Sequence, residues 1–259
     1  MIESKDLSKS FTTGKGKQAK TVHAVSHASF VARDGLITAL LGPNGAGKTT
    51  TMRMLCTLVE PSAGQALVDG LDAHKDAVKV RARLGVLSDA RGLYTRLTAR
   101  ENVRYFGELQ GMTAQAIEHR MDILVHQLGL QSIIDRRTEG FSQGERMKVA
   151  LARALIHDPP NLILDEPTNG LDIMTIRLLR ELLKNLRSSG KCILLSTHIM
   201  QEVAALADEV VIISAGTTVA QGTVDELQQR ADAADMEEAF LKLAFPDQYQ
   251  EHFAQGAQV

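Results

Sequence analysis

The sequence has 259 residues, of which 44% are hydrophobic and 23% are charged, and its formal net charge at pH 7 is −2. A chain of this size can bury a substantial core, and its near-neutral charge argues against binding driven by the phosphate backbone of nucleic acids. No apolar run approaches the ~20 residues of a spanning helix, and the polar start is no signal peptide, so a partner must supply any membrane span. We expect Cys56 and Cys192 to be buried, reduced thiols.

The first predicted elements are two strands, Ile2 to Leu7 and Val22 to Val31, joined by a glycine- and lysine-rich mobile loop from Thr12 to Lys20. Phe11 lies just before this loop. An exposed aromatic ring there can stack on a nucleobase. A ring packed on the hairpin is an equally open alternative from the residues alone.

The next stretch, Leu36 to Thr51, reads LITALLGPNGAGKTTT and predicts a strand, a loop and a helix. Its glycines let backbone N–H groups turn toward a phosphate, and the helix N-terminus adds positive charge. Lys48 can reach the β- and γ-phosphates, and the Thr49 hydroxyl is placed to ligate Mg²⁺. The motif predicts a nucleoside triphosphate site rather than a plain glycine turn, but not what the energy is used for.

From about residue 88 to residue 157 the pattern becomes helical and predicts a second lobe. Thr98 and Glu101 form a capping box at the start of one helix. The apolar spacing between Ala114 and Leu128 predicts an amphipathic helix that faces a core.

The segment Phe141 to Glu145, reading FSQGE, predicts a polar turn before a long helix from Arg146 to His157. A serine and a glycine at a helix N-terminus make an anion site. An ordinary helix cap is the alternative.

The chain then returns to strand and helix. The apolar strand Asn161 to Leu164 ends in Asp165 and Glu166, at the edge where open α/β sheets hold their ligands. One carboxylate can serve Mg²⁺, while its neighbour can orient and deprotonate an attacking water, a role worth ~10²–10⁴-fold in rate. Two solvated acids at a strand end are the alternative.

A second buried strand, Cys192 to Leu195, is closed by a polar turn in which His198 faces the same crevice and can touch the γ-phosphate. The remaining predicted elements are a helix from Met174 to Arg187, strands Val210 to Ile213 and Thr217 to Ala220, a capping box at Thr223 and Glu226, a helix from Glu237 to Leu243, and a frayed or docked tail from Pro246.

The order of these motifs resembles the ATP-binding cassette (ABC) ATPases, the nucleotide-binding subunits of ABC transporters, over about Ile2 to Leu227. The resemblance implies an α/β P-loop NTPase fold with a RecA-like core sheet, an antiparallel β subdomain and an inserted α-helical subdomain. It divides the chain into a nucleotide-binding core (1–87 and 158–227), a helical subdomain (88–157), and a C-terminal helix and tail (228–259).

The resemblance also assigns site residues by position. Glu166 corresponds to the catalytic base, Asp172 to the D-loop acid, His198 to the switch histidine and Phe11 to the adenine-stacking aromatic. The implied nucleotide-binding residues are Phe11, Gly42, Pro43, Asn44, Gly45, Ala46, Gly47, Lys48, Thr49, Thr50, Ser142, Gly144 and Asp172. The implied catalytic residues are Lys48, Glu166 and His198, and the implied metal ligands are Thr49, Asp89 and Asp165.

Two departures from the family pattern matter. The signature LSGGQ is FSQGE here, so Glu145 must point away from a bound phosphate or weaken closure of a dimer. Asp89 stands where the family has the Q-loop glutamine, and its shorter, charged side chain brings γ-phosphate sensing and coupling to the membrane subunit into question.

The resemblance implies an ATPase that uses ATP and Mg²⁺, pairs with a second copy of itself and energises a separate multi-span permease, without nucleic acid, at the cytoplasmic face of the inner (plasma) membrane. The variant at Asp89, together with Gly92 to Tyr94 and Leu97 to Asn102, resembles the ATPase subunits of sodium-extrusion exporters and their drug-resistance relatives. The alternatives are a non-transport cassette ATPase and a regulatory, weakly active one.

Overall fold

The computed structural model describes residues 1–14, 20–88 and 92–252. Its strands are β1 (Ile2–Thr13), β2 (Lys20–Ala32), β3 (Ile37–Leu41), β4 (Ala63–Val68), β5 (Leu71–Asp72), β6 (Leu84–Leu87), β7 (Asn161–Asp165), β8 (Cys192–Thr197), β9 (Glu209–Ser214) and β10 (Thr217–Gly222). Its helices are α1 (Lys48–Leu55), α2 (Ala77–Arg81), α3 (Ala99–Leu109), α4 (Ala114–Leu128), α5 (Gln143–Leu155), α6 (Ile173–Ser188), α7 (Met200–Leu206), α8 (Val224–Ala231), α9 (Met236–Ala244) and α10 (Pro246–His252).

The larger sheet has the strand order β10-β9-β3-β8-β7-β6. Neighbours from β9 to β6 pair in parallel, and only the edge pair β10–β9 is antiparallel in this sheet. Strands β3, β7 and β8 are buried along their whole length, as expected of parallel strands covered on both faces. The carboxyl ends of β3, β6, β7 and β8 therefore meet at one edge, where the predicted phosphate loop and strand-end acids lie.

The smaller sheet is antiparallel, with the order β2-β1-β4-β5. Residues of this sheet share one buried apolar cluster with α1 and with one face of the larger sheet. This cluster fixes α1, and with it the start of the phosphate loop helix, against both sheets. The α/β fold with an accompanying antiparallel sheet and inserted helices confirms the predicted fold class.

The two faces of the larger sheet belong to different apolar clusters, because successive side chains of a strand point to opposite sides. In β3, Ala39 and Leu41 join the cluster that contains α3, α4 and α5, whereas Leu40 joins the cluster around α1. The predicted stripe of α4 is buried, which confirms its assignment to the core. Because the helices share a core with the sheet, the division at residues 88 and 157 stays a prediction.

Several boundaries differ from the prediction. Strands β1 and β2 extend further along the hairpin, and residues 15–19 of the predicted loop lie outside the described residues. Helix α5 begins at Gln143, not Arg146, because Ser142 and Glu145 form a capping box, and it ends at Leu155. Helix α7 was not predicted: its N-cap residue, Ile199, offers no side-chain cap, so the usual start signal is missing.

The predicted capping boxes at the starts of α3 and α8 are confirmed. Residues 246–252 at the start of the predicted tail form α10, and the rest of the tail lies outside the described residues. The Tyr249 hydroxyl joins α10 to α9 by donating to Glu238 at 2.8 Å. Both cysteines are free and buried, as expected. Within the described ranges, no helix combines the length and apolarity needed to cross a membrane.

Candidate functional site: a phosphate loop at the strand ends

The loop between β3 and α1 is held close to its neighbours by two glycines. A Cβ atom at Gly42 would lie 2.3 Å from the carbonyl oxygen of Ile213, and one at Gly47 would lie 2.5 Å from that of Ala24. Gly47 also has φ 99°, in the left-handed region. Side chains at either position would push the loop away from the sheet, so the glycine spacing of the motif is needed for packing as well as for phosphate binding.

Lys48 is the first residue of α1 and is 5% exposed. Its ammonium group donates to the carbonyl oxygens of Gly42 at 2.7 Å and Pro43 at 3.1 Å, and it lies 3.6 Å from a carboxylate oxygen of Glu166. Burial lowers the pKa of Lys48, while Glu166 and Asp165 act in the opposite direction. The cation thus spans the mouth of the loop, where a triphosphate would compete for it.

The strand-end acids take different positions, as predicted from their adjacent places in the sequence. Asp165 is 8% exposed and accepts hydrogen bonds from the hydroxyls of Ser196, at 2.6 Å, and Thr49, at 3.3 Å. The backbone N–H of Glu166 donates to the same Ser196 hydroxyl at 2.9 Å. Ser196 therefore fixes both acids. Ser196 is absent from the predicted site residues, although it lies opposite Asp165 in the β7–β8 register.

Glu166 has φ 46°, a left-handed conformation that is unfavourable for a residue with a side chain of this kind. Its carboxylate lies 2.9 and 3.1 Å from Nδ1 of His198. The strained backbone turns this carboxylate out of the strand, toward both His198 and Lys48. Strain of this kind is typical of functional sites.

These side chains surround a cavity of about 590 Å³. Its lining includes the loop from 43 to 50, Asp165, Glu166 and His198. The structure therefore brings together the predicted loop, the two strand-end acids and the predicted histidine. The described lining of this cavity does not include four of the predicted nucleotide-binding residues: Phe11, Ser142, Gly144 and Asp172.

Phe11 lies on β1 with 40% of its surface exposed, and the ammonium group of Lys9 is 5.2 Å from the ring centroid. The ring is not packed into the core. An exposed, flat surface is what base stacking requires, and its role in stacking stays a prediction.

Ser142 is the N-cap of α5, where its hydroxyl accepts from the Glu145 N–H at 3.2 Å. The Glu145 carboxylate turns back to accept from the Ser142 N–H at 2.8 Å and lies 3.4 Å from Arg136. The Ser142 N–H contributes most to holding the pKa of Glu145 below its usual value. The Glu145 carboxylate is therefore hydrogen-bonded at the start of its own helix, and its effect on a bound phosphate stays a prediction.

The start of α6 lies against the start of α5. Asp172 caps α6 by accepting from the N–H of Thr175 at 3.0 Å and from its hydroxyl at 2.7 Å, and this hydroxyl is the main cause of its lowered pKa. A Cβ atom at Gly144 would lie 3.0 Å from the Thr175 hydroxyl, and one at Gly170 would lie 2.2 Å from Oε1 of Gln143. The signature turn and the turn before α6 therefore pack directly on each other. The assignments of Ser142, Gly144 and Asp172 to nucleotide binding stay predictions.

The predicted metal ligands can be compared with the ligands that Mg²⁺ prefers. The Thr49 hydroxyl and the Asp165 carboxylate are hard oxygen donors 3.3 Å apart at the base of the loop, which suits Mg²⁺. In the described part of the chain, no group of three or more His, Cys, Asp or Glu side chains could hold a metal. The third predicted ligand, Asp89, lies outside the described residues.

A buried parallel sheet with a G-x-x-x-x-G-K-T loop and two strand-end acids defines a P-loop nucleoside triphosphatase. A family model described as ABC transporter matches residues 25–169. The chain belongs to this family: it is an ABC transporter ATP-binding subunit, and it is an ATPase. The resemblance inferred from the sequence is thereby confirmed.

Similar proteins with known names are ATP-binding proteins of transport or export systems. The chain is 43% identical over 242 residues to the ABC transporter ATP-binding protein NatA of Bacillus subtilis (strain 168), covering 93% of this chain and 97% of NatA. It is 40% identical over 212 residues to the Nod factor export ATP-binding protein I of Ralstonia nicotianae, covering 82% and 66%. It is 36% identical over 248 residues to YbhF of Escherichia coli (strain K12), a probable multidrug ABC transporter ATP-binding protein, covering 94% of this chain but only 41% of YbhF.

Solved structures show the same architecture. The ATP-binding subunit of an ABC transporter matches with a TM-score of 0.82 and 30% identity, covering 93% of this chain and 98% of that one. A dimeric ATP-binding cassette, MJ0796, in a post-hydrolysis state bound to ADP and Pi, matches with a TM-score of 0.78 and 23% identity over 86% of this chain and 98% of that one. The second likeness concerns the fold alone.

Proposed function

We propose that two copies of this chain clamp ATP between them and drive a separate membrane-spanning subunit that exports its cargo. The observation that carries the proposal is the incompleteness of the site in one chain. Lys48, Glu166 and His198 meet in the loop cavity, whereas the helix start at Ser142 belongs to a different surface. A second copy in two-fold pairing can bring Ser142 to the phosphates, which gives two equivalent sites.

The chemistry follows from the side chains in the cavity. In the proposed reaction, the Glu166 carboxylate takes a proton from a water whose oxygen bonds to the γ-phosphorus. The bond from that phosphorus to the bridging oxygen breaks, and ADP leaves with the electron pair. Lys48 would hold the phosphate oxygens, and His198, which lies 2.9 Å from Glu166, would contact the γ-phosphate. Thr49 and Asp165 would hold Mg²⁺, which supplies positive charge to the β- and γ-phosphates.

The helical segment 88–157 is the proposed link to the membrane subunit. A second cavity of about 310 Å³ lies between this segment and the core, and it shares the wall residues Cys56, Leu58, Val86 and Ser88 with the ATP cavity. Its described lining contains Arg81, Arg153 and His157 and no acidic side chain. Burial lowers the pKa of Arg153 and of His157. An apolar partner segment that carries a carboxylate would fit this cavity by pairing with Arg81 or Arg153.

Charge reversal at this cavity tests the docking proposal. Arg81→Glu should lose the co-purifying membrane protein but keep ATP binding, because Arg81 does not line the ATP cavity. Lys79→Glu, at an exposed position on the same helix, is the matched control. Equal recovery of the membrane protein with both variants would contradict this docking site.

Export is the proposed direction of transport. It is supported by the printed names of relatives, which include Nod factor export and multidrug transport. Na⁺ efflux is the finer proposal, and it rests on the subfamily resemblance and on 43% identity to NatA. ATP-dependent ²²Na⁺ flux in vesicles that contain the co-purified membrane protein tests it. Efflux of a drug without Na⁺ flux would reject Na⁺ as the cargo.

The ATP mechanism is tested by Glu166→Gln. The variant should bind ATP normally, lose hydrolysis and accumulate as a dimer in the presence of ATP. The reason is that the attacking water is no longer activated, while the proposed phosphate contacts of Lys48 and Ser142 remain. ATPase rate, ATP affinity and mass by light scattering are measured together, with the exposed Glu237→Gln as the control. Near-normal turnover by Glu166→Gln would exclude Glu166 as the base.

A further inference from the structure

Glu202 is a buried carboxylate for which the proposed mechanism has no use. It lies in the first turn of α7, is 4% exposed and accepts a hydrogen bond from the Thr197 hydroxyl at 2.8 Å. The ion pairs found within residues 1–14, 20–88 and 92–252 include none with Glu202. A carboxylate in this position loses most of its hydration and regains one hydroxyl donor.

Such a side chain is a poor choice for stability alone. Burial of a carboxylate without a cation is unfavourable, and an apolar residue of similar volume would avoid that cost. A positioning role, in which the buried carboxylate orients its neighbours, explains Glu202 better than a stabilising role does. Its hydrogen-bond partner shows which geometry that is.

The Thr197 hydroxyl that donates to Glu202 also accepts from the N–H of Ile199 at 3.0 Å. Thr197 is the last residue of β8 and is fully buried, and Ile199 is the N-cap of α7. The N-cap residue of α7 has no capping side chain, so the hydrogen bonds of Thr197 and Glu202 hold the turn before the helix instead. His198 is the single residue between the two that are held.

We propose that Glu202 is a positioning residue for His198. Its carboxylate orients the Thr197 hydroxyl, the hydroxyl fixes the N–H of Ile199, and the fixed turn keeps the imidazole 2.9 Å from Glu166 although 43% of the His198 side chain is exposed. The inference rests on the proposed role of His198 in hydrolysis. It adds a residue that acts through His198 and does not touch ATP.

Single variants measure the size of the effect. Glu202→Ala and Thr197→Val should lower kcat by about 10-fold while KM for ATP changes by less than about twofold, because binding residues are untouched. Glu202→Gln keeps an oxygen that accepts from Thr197 and should restore most of the activity lost in Glu202→Ala. Gln201→Ala, exposed on the same helix, is the matched control and should behave as the wild type.

A double-mutant cycle with His198→Ala separates positioning from a general structural role. If Glu202 acts through His198, Glu202→Ala lowers kcat in the wild type but not in the His198→Ala background. An equal loss in both backgrounds overturns the inference, and so does failure of Glu202→Gln to restore activity while its Tm stays within about 2 °C of the wild type. If His198→Ala itself keeps full activity, the proposed role of His198 is wrong and the inference falls with it, which distinguishes the two failures.

Discussion

The contact between Gln143 and Gly170 predicts a specific rescue. A Cβ atom at residue 170 would lie 2.2 Å from Oε1, 3.0 Å from Cδ and 3.2 Å from Nε2 of Gln143. Gly170→Ala should therefore displace the Gln143 side chain, and with it the turn that presents Ser142. Gln143→Ala removes all three of the atoms concerned and should relieve the clash.

The magnitude has two parts. Gly170 has φ 70°, so alanine there costs about 1–2 kcal/mol of backbone strain whatever lies nearby. The Gln143 amide must retreat by about 1 Å to reach ordinary van der Waals contact, and we expect this to add about 1 kcal/mol. Only the second part should disappear in the Gln143→Ala background. The coupling free energy is therefore expected to be about 1 kcal/mol in favour of the double variant.

Urea unfolding of the four proteins measures the coupling free energy, with m-values checked for equality. ATPase activity measured in parallel shows whether the displaced turn affects hydrolysis. Free energies of unfolding that add to within about 0.3 kcal/mol would refute the reasoning, because independent sites behave in that way. Gly140→Ala, at a glycine with φ 78° and no atom within 4 Å of the added Cβ, controls for strain without a clash.

Three further predictions concern the loop, the exposed ring and the C-terminal helices. Gly42→Ala should abolish binding of a fluorescent ATP analogue, because its Cβ would meet the backbone carbonyl of Ile213; Gly45→Ala, which adds backbone strain at φ 81° but no clash, should weaken binding less. Phe11→Ala should raise KM for ATP by roughly 5- to 150-fold with kcat unchanged, since stacking on a base is worth about 1–3 kcal/mol, and Phe11→Tyr should not. The N–H of Ala234, with Lys242 and Tyr249, lowers the pKa of Glu238 from 4.5 to about 2. The stabilisation lost in Glu238→Gln should therefore be complete above pH 4.5 and shrink as the pH falls toward 2; an unchanged difference in Tm at pH 3 and pH 7 would contradict it.

The elements that could be predicted are those whose signals are local. The capping pair Thr98 and Glu101 predicts the start of α3 because both hydrogen bonds form within four residues of chain. The same pattern at Ser142 and Glu145 marks the start of α5, but the polar residues of FSQGE also favour a turn, and the predicted start at Arg146 is therefore three residues late. Helix α7 gave no comparable signal, because its start depends on a hydroxyl two residues before its N-cap.

The convergence of Lys48, Asp165, Glu166 and His198 was also predictable, since parallel strands end at one edge of the sheet. The finer geometry was not. The use of one Ser196 hydroxyl by both strand-end acids depends on the pairing of β7 with β8. Sequence spacing does not report contacts between residues that are 30 or more positions apart.

The left-handed backbone at Glu166 has a consequence for engineering. Glycine or asparagine would adopt this conformation with less backbone strain. Relief of about 1 kcal/mol of strain is enough to raise the melting temperature of a protein of this size by roughly 2–4 °C. Selection of a variant library for heat resistance alone would therefore favour substitutions at residue 166 and enrich proteins that are stable but do not hydrolyse ATP. Selection for durability in this enzyme has to be paired with selection for turnover.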